Sequence, residues 1–304
     1  MIEGVKMAIL FSNAILDSVK RELQNATDSV QIITAYCKDS SLKYLNRYIR
    51  DSVTNKRLLV RFRMDDIIKG STDFSILENG IDTGWDVYIR FDLHAKTYVV
   101  DNKRCFIGSA NATNSGLSIG RRGNIEMATL IDVEMEDIER IGKLFDDAIY
   151  IDRQLLERMQ EQLEVVRNSG RREHYSWDKS IITLFNPHID TLFSYELPED
   201  FSLHKGEYFS FMDETFTGDI NKIKETFRFS NSYLWLITTL KENEGCMYFG
   251  ALSEKLHYVM ISDPKPYRRD IKHMLENLLR LCEQLEMEEI VIDRPNYSQR
   301  IRLV

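Results

Sequence analysis

The chain has 304 residues, 43% hydrophobic and 29% charged, with 14 glycines and only 5 prolines, a globular composition that excludes a disordered or fibrous chain. Its net charge of −8 gives no long-range pull toward a polyanion, so any contact with nucleic acid must be local. No apolar run reaches the ~18 residues of a membrane span, and the short run MAILF makes a poor secretory signal. Cys37, Cys105, Cys246 and Cys282 lie far apart without a CxxC pair. Reduced thiols, a cytoplasmic location, no membrane contact and no zinc site are therefore expected.

In chain order, apolar periodicity predicts a helix over 13–26, a strand over 29–36, a helix over 40–54 and a strand over 57–64. A loop rich in Gly, Ser and Asp follows at 65–84. Strands come next at 85–92, 94–100, 104–110 and 124–132, and a helix at 133–149 closes the region. Such alternation implies an α/β domain, a mixed sheet flanked by helices, over 1–152. The charged segment 153–173 carries Leu156, Met159, Leu163 and Val166 on one stripe and stops at Asn168-Ser169-Gly170. It reads as a helix lying on its own domain, or as one between domains or copies, and it is taken as the linker. A second α+β or α/β domain is expected over 174–304. There, strand-like runs at 181–185, 232–240, 246–252 and 256–262 precede a helix at 268–285 and a strand at 289–293. The aromatics of this region read as core rather than as a recognition surface, and the region carries no chemical motif.

The informative stretch is 94–126. His94 and Lys96 are two apart on a strand and leave from one face. With Asn102-Lys103 as a two-residue turn and Asp101 paired with Arg104, Lys96 falls opposite Ser109 and His94 opposite Asn111. Asn124 and Glu126 form a third alternate pair. A solvent-exposed sheet edge would explain one polar pair of this kind, but not three. These residue types suit phosphoryl transfer: an imidazole nucleophile, a lysine on the non-bridging oxygens, and Ser109 and Asn111 donating to them. Glu126 is expected to hold the second imidazole nitrogen. The several carboxylates of a magnesium-dependent nuclease are missing from the stretch, so no metal and no cofactor is expected.

The pattern His94-x-Lys96-x4-Asp101-x6-Gly108-Ser109-x-Asn111 resembles the HKD motif of the phospholipase D superfamily at every defined position, and Asn124-x-Glu126 resembles the segment that follows it in nuclease members. The resemblance covers roughly residues 1–150. It implies a phosphodiesterase in which two motifs meet across one active site, one histidine attacking phosphorus and the other protonating the leaving oxygen. Asp101, at the hairpin turn and away from the patch, reads as structural, as does Gly108.

None of His174, His188, His204, His257 and His273 is followed by lysine at plus two, so the second motif must come from another copy. A C2 homodimer with a shared site is expected. The single motif with an unmatched C-terminal module resembles nucleases of restriction or phage-defence type acting on DNA, the module serving nucleic-acid or protein-partner recognition. Basic runs at Lys56-Arg57, Arg61 and Arg63, Lys103-Arg104, Arg121-Arg122 and Arg171-Arg172 are candidates for backbone contact. Arg121 and Arg122, inside the motif segment, are the nearest of these to a substrate, or else they belong to a solvated loop. A lipid phosphodiesterase or phosphatidyltransferase would use the same residues, and a non-catalytic dimerisation module is the third reading.

Overall fold

A computed structural model describes residues 9–120, 123–169, 175–295 and 297–304. Two compact units divide the chain, Met1–Phe185 and Asn186–Val304. The elements of the first are β1 (Ile9–Phe11), α1 (Asn13–Asn25), β2 (Ser29–Thr34), α2 (Asp39–Asn46), β3 (Asn55–Arg61), α3 (Met64–Ile68), α4 (Ser75–Asp82) and β4 (Asp86–Arg90). They continue with β5 (Lys96–Val100), β6 (Arg104–Gly108), β7 (Met127–Asp132), α5 (Met135–Asp146), β8 (Ile149–Tyr150), α6 (Arg153–Asn168) and α7 (Lys179–Ile182).

The eight strands form one mixed sheet in the order β1-β7-β6-β5-β2-β3-β4-β8. β2, β3 and β4 are parallel, and the other neighbours are antiparallel. All six residues of β2 are buried, as expected of a central strand covered on both faces. On one face, Ile33 and Leu59 pack under Phe145 of α5. This topology carries the ends of β2, β3 and β6 and the starts of β5 and β7 to one end of the sheet.

The β5–β6 connection differs from expectation. Val100 pairs with Arg104 and Thr97 with Ile107. The turn therefore has three residues, and Lys96 lies in register with Gly108 rather than Ser109. The cause is left-handed backbone at Asp101 (φ 55°) and Asn102 (φ 50°), which the short side-chain carbonyls of these residue types tolerate. Asp101 is tied to the turn before β2: its carboxylate accepts from the backbone N–H groups of Thr27, Asp28 (2.8 Å) and Ser29 (3.0 Å) and from the Thr27 hydroxyl (3.0 Å). Partial burial opposes its charge, but these donors outweigh burial and hold the carboxyl below the usual carboxylate range. Replacing Asp101 by Ala should cost about 2 kcal/mol, the scale for hydrogen bonds to a charged acceptor. A group with a depressed folded pKa stabilises above its unfolded value of about 4 and loses that contribution as pH falls through the lower folded value. Urea melts should thus separate wild type from the variant at pH 7 and bring them together well below pH 4; equal stability at pH 7 would remove Asp101 from this role.

Three other expectations change. The 65–84 stretch holds α3 and α4, too short for a period to stand out, with Ile67, Ile76 and Leu77 buried. The helix expected over 40–54 stops at Asn46 and gives way to turns, with Tyr48 N–H donating to Leu45 O (2.9 Å). The segment taken as a linker belongs to the first unit. α6 buries Leu155, Leu156, Met159 and Leu163, and its chain continues to Trp177, which donates to Phe62 O (2.7 Å), and to Phe185, edge-on to Phe91. An apolar stripe needs a neighbour, and the preceding domain supplies it, so the division falls at 185/186 and not within 153–173.

The second unit holds the hairpin β9 (Tyr208–Phe209) and β10 (Glu214–Thr215), α8 (Ile220–Arg228), α9 (Asn231–Glu242), β11 (Cys246–Tyr248), α10 (Phe249–Val259), α11 (Arg268–Gln284), β12 (Ile290–Asp293) and β13 (Arg300–Leu303). Its second sheet runs β11-β13-β12, antiparallel throughout. α11 and β12 match the expected helix and strand. The strands expected over 181–185 and 256–262 are helical only to Ile182 and Val259, and the one expected over 246–252 is strand only to Tyr248 before α10 begins. The strand expected over 232–240 is helical instead. α9 explains why: Tyr233, Leu234, Trp235, Leu236 and Leu240 are all buried, so its sequence shows no polar face and reads like a core strand. Phe209, Phe227 and Trp235 join the same core. Among the described residues no helix is long and apolar enough to cross a membrane.

Candidate active site

His94 sits in the extended segment just before β5, where Ala35 N–H donates to Ala95 O (2.9 Å) and ties the segment to β2. Lys96 opens β5, and its Nζ donates to His94 O (2.6 Å). Ser109 follows β6 and continues the ladder, its N–H donating to Met127 O (2.9 Å). Gly108 is the position where β7 crowds closest: a Cβ there would collide with the Met127 carbonyl and Ala128.

Glu126, buried, lies just before β7. Its Oε2 accepts from the Ser109 hydroxyl and its Oε1 from Asn124 Nδ2 (3.1 Å). Both carboxylate oxygens are thus engaged by Ser109 and Asn124, not by His94 of the same chain. In place of the expected Glu126–imidazole bond, the β6–β7 register sets Ser109 opposite Met127, next to Glu126, and its hydroxyl takes the carboxylate. Asn111 Oδ1 accepts from Tyr36 N–H (3.1 Å), with the Thr34 hydroxyl 3.3 Å away. The amide is thereby oriented, and its Nδ2 has no hydrogen-bond partner among the described residues.

Arg61, at the end of β3, is the addition that motif spacing did not single out. It forms a two-pronged bond to Asp66 (2.8 and 3.0 Å), donates to the Tyr36 hydroxyl (2.5 Å) and stacks over the Tyr36 ring. Sequence reading placed it only within a basic run, since its 33-residue separation from His94 hides a proximity that the parallel β2–β3 pairing creates. Burial, and then the positive charges of Lys96 and Arg61, push the His94 imidazole below its ordinary value, with Asp66 pulling weakly the other way. Lys96 is itself lowered by burial and by Arg61 against the opposing charge of Glu126. A histidine lowered from about 6.5 is neutral at pH 7, the form with a free lone pair. An NMR titration should place the His94 imidazole below 6.5. Arg61→Gln, which removes a cation and releases Asp66, should move it upward; an unmoved value would exclude this electrostatic coupling.

The other basic runs are largely committed within the fold. Lys56 donates to Thr83 O (2.6 Å), Arg57 donates to Gln31 (3.1 Å) and covers the Phe145 ring, Arg63 donates to Phe91 O, and Arg104 pairs with Asp132 and Glu22. They do not form a free cationic stripe. Arg121, Arg122, Arg171 and Arg172 lie outside the described residues.

One end of a mixed α/β sheet thus gathers His94, Lys96, Ser109, Asn111, Asn124 and Glu126 from separate strands and loops, the arrangement of a phospholipase D-like domain. A family model described as cardiolipin synthase, PLD-like domain, matches residues 19–149, so this stretch is a phospholipase D-like domain. No curated protein matches the chain. Among solved structures it is similar to NucT from Helicobacter pylori, at 14% identity over 48% of this chain and 99% of that one, with a TM-score of 0.35. It is also similar to Nuc from Salmonella typhimurium, a phospholipase D family member, at 16% identity over 57% and 100%, with a TM-score of 0.32. A phosphatidylserine synthase from Haemophilus influenzae matches at 14% identity over 58% and 46%, with a TM-score of 0.41.

Proposed function

We propose that the protein is a metal-independent phosphodiesterase, a cytoplasmic homodimeric DNA endonuclease that works through a phospho-histidine intermediate. The observation that carries this reading is the placing of His94 near two cations, Lys96 and Arg61, which together with burial hold its imidazole below the ordinary value. Nearby stand Ser109, held by Glu126, and the unpartnered amide end of Asn111. The imidazole nitrogen forms a bond to phosphorus as the phosphorus–oxygen bond to the leaving group breaks. The departing oxygen takes a proton from the His94 of a second copy, which enters the step as the imidazolium. Water then attacks phosphorus, gives its proton back to that second imidazole, and releases His94. Lys96 and Asn111 stabilise the negative charge on the non-bridging oxygens.

A second copy is required for this cycle, and an apolar surface beside the site supports one. Register puts Ile9, Thr129 and Ile107 in one row across β1, β7 and β6, and Phe11, Met127 and Ser109 in the next. This is the face on which Phe145 of α5 covers Ile33 and Leu59 further along the sheet. Beyond the helix nothing among the described residues covers the face: Ile9 is 65%, Phe11 54%, Ile107 47% and Met127 54% exposed. Contiguous exposed apolar residues that end at a catalytic serine suit a self-complementary interface.

Charge suggests how the two units divide the work. Residues 1–185 carry 26 basic and 28 acidic side chains, a net of −2, whereas 186–304 carry 14 and 20, a net of −6. The first unit is therefore the one to meet a polyanion. The second suits a protein partner, as in a restriction- or phage-defence-type nuclease that is delivered to its target.

The test is cleavage of plasmid and single-stranded DNA in EDTA with a substrate carrying labelled phosphate. Quenched reactions should yield a protein adduct stable to alkali and labile to acid, the behaviour of a phosphoramidate. Cleavage without any adduct would overturn the covalent mechanism. No cleavage of either DNA or of bis-(p-nitrophenyl) phosphate would overturn the phosphodiesterase reading.

A further inference from the structure

Beside the phosphodiester site lies a polar cavity of about 570 Å³, within the size range of small-ligand sites and open on one side. Its wall is shared with the motif through Asn111 and Asn124, and extends over Tyr36, Lys38, Ser40 and Asn114. The hydrogen bonds of the lining follow a pattern. Asn114 Oδ1 is occupied by the hydroxyls of Ser41 (2.7 Å) and Ser40 (3.2 Å), just as Asn111 Oδ1 is occupied by Tyr36 N–H. Each carboxamide is thus fixed by its oxygen, and neither Nδ2 has a hydrogen-bond partner among the described residues. Asn124 is fixed the opposite way: its Nδ2 donates to Glu126 and its Oδ1 has no such partner. The one ammonium in the lining, Lys38, is neutralised by Asp73 (2.7 Å) and Gly70 O (2.6 Å).

With Asn111 Nδ2 given to the phosphate, the cavity offers one oriented donor, Asn114 Nδ2, one oriented acceptor, Asn124 Oδ1, and no net charge, and is not built for a second phosphate. It fits a neutral, planar, hydrogen-bonding group joined to the phosphate held at Asn111. We propose that the cavity takes the unpaired nucleobase flanking the scissile phosphate. The enzyme then acts on single-stranded or locally opened nucleic acid and reads one base at this position. A base inside a duplex presents its edge to its partner and cannot enter; a splayed base offers that edge to carboxamides of this kind. The inference rests on the phosphodiesterase reading for its substrate, but the residues that test it, Ser40 and Asn114, lie outside the motif.

Two variants test it. Asn114→Asp keeps the oxygen that Ser40 and Ser41 bind while turning the donor into an acceptor. Ser40→Phe, at an exposed position in the first turn of α2, fills the cavity without touching the core. Fluorescence anisotropy with labelled single-stranded octamers, in DNA and RNA versions and varied at one central base, reads binding without reference to cleavage. Ser40→Phe should weaken binding at least about 10-fold, and Asn114→Asp should change the order of base preference by a similar factor, the scale of one bidentate base contact. The same octamer closed into a hairpin duplex should bind wild type more weakly than its open form. Wild-type binding that neither variant alters, or no binding of any octamer, overturns the inference. Hydrolysis of bis-(p-nitrophenyl) phosphate, which carries no base, should stay within about 2-fold in both variants. Failure of wild type on that ester overturns the phosphodiesterase reading, while the anisotropy result still decides the cavity.

Discussion

His94→Ala should lower cleavage of DNA and of small phosphodiesters by at least about 10⁴-fold, the scale on which removal of a covalent nucleophile acts, while leaving the protein folded and dimeric. The imidazole lies in the segment before β5, and the dimer surface proposed here is made by β1, β6 and β7, so the substitution removes chemistry without removing contacts. Subunit mixing carries the prediction further. In a shared site one histidine attacks and the other supplies a proton, so a heterodimer of wild type and variant lacks one of the two. Equal mixing with full exchange leaves a quarter of the dimers with two wild-type chains, and activity should fall toward that fraction. Activity that stays at one half, in proportion to the wild-type chains, would mean that each subunit carries a complete site. Wild-type rates from His94→Ala alone would move the nucleophile elsewhere.

The phospholipase D-like unit was readable from sequence because two kinds of signal coincide in it. The strand centres are short buried apolar runs, Ile32-Ile33 in β2 and Leu58-Leu59-Val60 in β3, and the motif residues stand at fixed spacings that only a strand-and-turn geometry satisfies. Register was not readable, since it turned on whether the hairpin used two residues or three, and left-handed backbone at Asp101 and Asn102 decided that. One residue of slip sets Lys96 opposite Gly108 rather than Ser109, while the separate β6–β7 register puts Ser109 beside Glu126. Arg61 reads from sequence only as part of a basic run, because its place beside His94 depends on parallel strand order, a long-range property with no local trace. In the second unit the failure was one of period. A helix buried on nearly all sides, such as α9, lacks the polar face that would mark it, and tyrosine, tryptophan and threonine within it favour a strand reading.

Charging the bare face of β1, β6 and β7 should dissociate the protein and abolish activity together. Ile107→Lys places an ammonium in the middle of the row formed with Thr129 and Ile9. The side chain is already 47% exposed, so the monomer tolerates the change, whereas in a dimer the charge would be desolvated without a partner. Phe11→Glu does the same from the edge strand, and the two together would show whether both rows are covered. Sedimentation at micromolar protein should show a monomer for each variant, with circular dichroism unchanged and plasmid cleavage lost. Restoration distinguishes the shared site from a damaged one. Ile107→Lys mixed with Phe11→Glu carries opposite charges on facing copies, and where the two rows meet across the axis, part of both the dimer and the activity should return. An Ile107→Lys monomer that cleaves at the wild-type rate would sink the requirement for a second histidine, and with it the two-copy mechanism. Loss of activity in a variant that remains dimeric would instead place this face in contact with substrate.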